Sequence, residues 1–150
     1  MINETNIHKH VINSINFPIL IIDKNKTILM VNPATEDFFK LSSKVLIKKS
    51  IEEILPFSSP VLSLIDSSIK KESTFKEYRV DLSTPISGSH KDVDVEVTPL
   101  IGLENYYQII LVEDYHEKKL VLQNENQKNK IAMSNMSQIL AHEVKNPLSG

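Results

Sequence analysis

The chain has 150 residues, a net charge of -2 at neutral pH and no cysteine. A compact unit of that size buries roughly 70% of its unfolded surface, so its core needs no covalent staple. The missing cysteines exclude disulfides, thiolate metal sites and a cysteine nucleophile, and the lack of a basic excess argues against nucleic-acid binding. The longest clearly apolar run, residues 19–22, is far short of the ~20 residues a membrane span needs. The start, Met1-Ile2-Asn3-Glu4, has no basic region followed by an apolar one, as a signal peptide would. A soluble, cytoplasmic protein off the membrane is expected.

Residues 4–15 are weakly amphipathic, with Ile7, Val11/Ile12 and Ile15 at helical spacing. Phe17-Pro18-Ile19-Leu20-Ile21-Ile22 reads as a buried strand. The turn-rich Asp23-Lys24-Asn25-Lys26 separates it from a second strand, Thr27-Ile28-Leu29-Met30-Val31, which completes a hairpin. Asn32-Pro33 then starts a helix, with Asn as N-cap and Pro at the first helical position. Ser50-Ile51-Glu52-Glu53 is a capping box for a short helix ending near Leu55-Pro56. Ser59-Pro60 opens another helix, with Val61, Leu62, Leu64/Ile65 and Ile69 as its apolar stripe.

Three strand candidates follow. Residues 75–82 alternate Phe75/Glu77/Arg79 with Lys76/Tyr78/Val80/Leu82, and Ser87-Gly88-Ser89 is a turn. Val93-Asp94-Val95-Glu96-Val97 alternates strictly, the pattern of a sheet with one solvated face. Residues 106–112 are apolar almost throughout, as expected of a central strand. Phe17, Phe38, Phe39, Tyr106 and Tyr107 are assigned to the core rather than to a ligand box. The order strand, strand, helices, strand, strand, strand defines an α+β class: a five-stranded antiparallel sheet with helices on one face.

Asp114 caps a further helix, with Glu117 as capping-box partner, and nothing breaks it before Pro147. A long C-terminal helix is therefore expected. Leu122, Met133, Met136 and Leu140 fit a heptad seam, but residues 123–130 are all polar, so the seam is thin for an independent coiled coil. It suits a linker whose two helices slide or rotate; a solvated, frayed helix fits equally. The expected organisation is a sensor domain with an N-terminal helix over residues 1–114, a helical linker over 115–132, and the start of a dimerisation domain over 133–150. The stripe Met133/Met136/Leu140 predicts a homodimer, because a lone helix leaves it in water.

The segment Ala141-His142-Glu143-Val144-Lys145-Asn146-Pro147-Leu148-Ser149 carries the chemistry. On a helix His142 and Asn146, four apart, share a face. Glu143 can take or hold an imidazole proton. Pro147 lacks an N–H and crowds the carbonyl of Glu143, so the helix should bend just past the histidine. A zinc-protease reading requires His-Glu-x-x-His and fails at Asn146. His8, His10, His90 and His116 form no ligand cluster, and three glycines allow neither GxGxxG nor GxxxxGK[ST].

The element order and the Val31-Asn32-Pro33-Ala34 step resemble a PAS sensor domain over roughly residues 5–114. Haem-binding relatives use an axial histidine from the helix assigned here to residues 60–71, which has none, and flavin photosensors need a reactive cysteine; no cofactor is expected in this chain. The box from Leu140 to Gly150 resembles the phospho-acceptor box of two-component sensor histidine kinases. With a soluble N-terminus and one PAS domain, it is similar to the nitrogen-regulation (NtrB-type) sensor kinases, whose box reads Ala-His-Glu-Ile-Lys-Asn-Pro-Leu; Val144 stands in place of Ile.

That resemblance implies roles. His142 attacks the γ-phosphoryl of ATP and becomes phosphohistidine. Glu143 accepts a hydrogen bond from the other imidazole nitrogen and leaves the attacking nitrogen unprotonated. Asn146 orients a water against the aspartyl-phosphate of a response regulator. ATP and Mg²⁺ would come through a separate domain outside these 150 residues, so the chain alone should be inactive and bind no ATP. Expected partners are an NtrC-type response regulator, a PII signal protein and a second copy of the chain. Two alternatives stay open: a stand-alone PAS interaction module without chemistry, and a PAS histidine kinase for another signal. The loss of His142 separates the first, since a pure binding module would tolerate it.

Overall fold

The computed structural model describes residues 4–83 and 91–113, all within one compact unit, Met1–Asp114. Its elements are α1 (Glu4–Asn13), β1 (Ile19–Asp23), β2 (Ile28–Val31), α2 (Pro33–Phe39), α3 (Ser43–Leu46), a 3-10 turn (Ile51–Glu53), α4 (Pro60–Lys71), β3 (Phe75–Asp81), β4 (Asp92–Pro99) and β5 (Tyr106–Glu113). The expected turn at Ser87-Gly88-Ser89 and everything expected after Glu113 fall outside the described residues. The latter include the capping box at Asp114, the long helix and its seam.

The five strands form one sheet in the order β2-β1-β5-β4-β3, every neighbouring pair antiparallel. The last strand in sequence is therefore the central one, as its apolar run leads one to expect. Asp23 turns the first hairpin: its carboxylate accepts from the backbone N–H groups of Asn25 (2.9 Å) and Thr27 (3.0 Å).

Side-chain alternation sorts the sheet into two faces. Leu20 and Ile22, Val93, Val95 and Val97, and Tyr107, Ile109 and Leu111 point inward. There they meet Phe38, Phe39, Leu46, Ile51, Val61 and Ile65 from the helical side. Phe38 and Phe39 pack edge to face, with ring centroids 5.0 Å apart. Each such side chain contributes about 1.5–3 kcal/mol through the water it sheds.

The helices begin where the polar residues dictate. Asn32 caps α2 and Ser59 caps α4, each followed by Pro at the start. Ser50 and Glu53 close the expected capping box, but around a single 3-10 turn. Both α2 and α4 end on a non-glycine residue in the left-handed region, Lys40 (φ 55) and Glu72 (φ 47).

Three expectations change. The helix α3 was not expected, since four residues carry no period. Strand β3 does not alternate as read: Arg79 takes φ 53, and the register with β4 shifts between Glu77 and Val80. The bulge lets half-buried Phe75 and buried Val80, five apart, both join the core, while Tyr78 remains 69% exposed. Phe17 and Tyr106 are not core. Phe17 lies in the connection before β1 and is exposed, and Tyr106 is half-buried on the strand position opposite in sense to Tyr107.

Candidate functional site

The residues assigned chemistry from sequence, His142, Glu143 and Asn146, lie outside the described residues. Among the described residues, polar contacts concentrate at three places where helices meet the sheet.

The first is Asn32, fully buried between β2 and α2. Its Oδ1 accepts from the N–H of Ile19 (3.0 Å), the N–H of Thr35 (3.1 Å) and the Thr35 hydroxyl (2.7 Å). Its Nδ2 donates to the carbonyl of Phe17 (2.9 Å) and lies 3.4 Å from those of Ile12 and Ile15. Sequence reasoning identified the capping bond alone; the Asn-Pro step does not reveal that the amide also turns back to α1.

The second is Lys26, at φ 66 in the β1–β2 turn. Its ammonium lies 2.6 Å from Glu52 and 2.7 Å from Asp66, so it bridges the 3-10 turn and α4. The hydrogen bonds it donates to Asp66 and then to Glu52 raise its pKa above the ordinary lysine value. Nothing in the local sequence predicts this bridge, because its acids are 26 and 40 positions away in the chain.

The third is Tyr107, on the inner side of β5 and 1% exposed. Its hydroxyl donates to the carboxylate of Glu72, the residue that ends α4. Burial, then the hydrogen bond and the charge of Glu72, push the phenol up to about 12. The pair fixes the end of α4 to the central strand.

On the opposite face of the sheet, a shallow groove is lined by Lys76, Tyr78, Asp94, Val95, Glu96, Ile110 and Val112. Lys76 and Glu96 pair across β3 and β4 at 2.8 Å, and the ammonium, then burial in opposition, governs the Glu96 carboxyl, which is held below its ordinary value. Asp94 accepts from the Arg79 N–H at 3.0 Å.

Among the described residues, no group of three or more His, Asp or Glu is placed to hold a metal ion. Nor is any described helix long and apolar enough to cross a membrane.

This architecture is that of an α+β domain built on one antiparallel sheet, and comparison with known proteins gives its family. Residues 8–113 match the PAS family, described as the PAS fold. The chain belongs to the PAS family. It is 34% identical to the sensory histidine kinase/phosphatase NtrB of Rhizobium meliloti (strain 1021) over 140 residues, which cover 93% of this chain and 37% of that protein. NtrB of Rhizobium leguminosarum bv. phaseoli is likewise 34% identical over 142 residues, covering 93% of this chain and 36% of that protein. The chain thus spans a little over a third of the length of these relatives. Among solved structures, the PAS domain of nitrogen regulation protein NR(II) from Vibrio parahaemolyticus superposes with a TM-score of 0.60 at 19% identity. That match covers 71% of this chain and 96% of the other. The PAS domain of BvgS from Bordetella pertussis gives a TM-score of 0.60 at 17% identity, over 85% of this chain and 95% of the other. At such identities the likeness is one of fold.

Proposed function

We propose that the chain is the sensory and phospho-acceptor part of a cytoplasmic two-component histidine kinase acting in nitrogen regulation. One observation carries the reading: the similarity to NtrB covers 93% of the chain, so it continues beyond the PAS domain, in a chain that also contains the box Ala141-His142-Glu143-Val144-Lys145-Asn146-Pro147.

Under this reading His142 is the phospho-acceptor. Its attacking nitrogen supplies the electron pair to the γ-phosphorus of ATP, the bond to the β–γ bridging oxygen breaks, and ADP leaves. Glu143 orients the imidazole through its other nitrogen. Phosphoryl transfer depends mainly on positioning and on neutralising charge, so a domain that presents ATP and Mg²⁺ is required alongside. The phosphoryl group then passes to an aspartate of an NtrC-type response regulator. A PII signal protein and a second copy of the chain are the further partners this reading supplies.

The test is phosphorylation in trans. The chain is mixed with the separately produced ATP-binding domain of an NtrB and γ-labelled ATP. Acid-labile, base-stable label should appear on the chain and vanish in His142→Gln. Label that persists in His142→Gln would remove the assignment, and a chain that takes up none while the NtrB's own acceptor domain is labelled would favour a binding module without chemistry.

A further inference from the structure

Helix α1 has little of its own to hold it. It has ten residues, a length that is marginal for an isolated helix in water. Of its described side chains only Ile12 is half-buried; Ile7 and Val11 are 45% and 57% exposed. A helix that buries so little apolar surface needs another attachment.

Asn32 provides one. The last carbonyls of a helix have no partner within it. The Nδ2 of Asn32 faces the carbonyls of Ile12, at the end of α1, and of Ile15 and Phe17 in the connection that follows. The same planar amide, through Oδ1, is held by β1 at Ile19 and by α2 at Thr35. The side chain is fully buried, and its bonds through Oδ1 are buried with it.

We infer that Asn32 is a positioning residue with two separable halves: the acceptor oxygen builds the β1–α2 junction, and the donor nitrogen anchors α1 to it. The direction of α1, and with it the side to which Ile7 and Val11 are presented, is set at this single amide. The capping role concerns the oxygen alone; the anchoring role concerns the nitrogen.

The two halves can be cut apart. Asn32→Asp keeps an acceptor for Ile19 and Thr35 and turns the donor into a second oxygen facing three carbonyls. Asn32→Ser keeps a capping oxygen and has no amide donor. Hydrogen exchange by mass spectrometry on the 150-residue chain reads the outcome segment by segment. In both variants the amides of residues 8–14 should exchange about fivefold faster or more, the factor that loss of one net hydrogen bond gives. Those of β4 and β5, which the amide does not touch, should rise less than those of residues 8–14. Should Asn32→Asp fail to fold, Asn32→Ser alone decides. Unchanged exchange in residues 8–14 overturns the inference, and so does an equal rise across the sheet, which would make Asn32 a general core residue. The outcome is independent of any phosphoryl transfer at His142.

Discussion

Tyr107 shows how one side chain ties two elements together. Its ring belongs to the core of the sheet, and its hydroxyl reaches the carboxylate that ends α4. Tyr107→Phe should keep the packing and lose the bond, at a cost of about 1–3 kcal/mol, since the acceptor is charged. The phenol, pushed up to about 12, also makes stability depend on pH. The folded state holds the phenolic proton more tightly than the unfolded chain, whose tyrosine titrates near its ordinary value of about 10. The contribution is therefore complete below about pH 10 and is lost as pH rises towards 12. Urea midpoints between pH 9 and 11.5 should fall in the parent more steeply than in Tyr107→Phe; parallel slopes would contradict the assignment.

At the level of elements, Lys26 links a β-turn to the helical layer. Its two carboxylate partners are more than half exposed, so the bridge contributes modestly. Lys26→Ala should cost about 1 kcal/mol or less, and the loss should shrink in 1 M salt, where charges are screened over a few ångströms. Denaturation curves at two ionic strengths check both parts. This scale also shows where the sequence was readable. Apolar period and caps located β1, β2, α2, α4, β4 and β5, because each burial pattern follows its own regular geometry. The β3 bulge was invisible because its left-handed residue is Arg79, where a glycine would have given the signal. The Asn32, Lys26 and Glu72–Tyr107 contacts depend on which distant segments the fold brings together, and no local pattern encodes that. The box from Ala141 to Pro147 is read as a motif, through residue types at fixed spacing, and lies outside the described residues.

For the whole molecule, the proposed function gives the box two activities that one substitution should separate. Asn146 shares a helix face with His142 on the helical reading, and its amide can hold a water by one donor and one acceptor bond. It offers nothing that phosphohistidine formation needs. Under the proposed function, in a full-length kinase carrying this box, Asn146→Ala should leave autophosphorylation largely intact and slow dephosphorylation of the response regulator about 100-fold, the usual effect of losing a preorganised polar group. Transfer of label from ATP, followed by its decay on the regulator, measures both. Loss of kinase activity with phosphatase activity spared would reverse the role.

The position of β5 has a consequence for how the protein is made. Each of the hairpins β1–β2 and β3–β4 is a neighbour pair in sequence, yet within the sheet they are joined only through β5. A nascent chain that has emerged only as far as Pro99 thus possesses most of the hydrophobic residues that the described core buries and no means of joining its strands into one sheet. Until Tyr106 to Glu113 leaves the ribosome, β1 and β4 each present an unpaired edge, a template for another chain. In sequence the strand that closes the sheet is followed directly by residues 114–150, so synthesis completes the sheet just before it makes them.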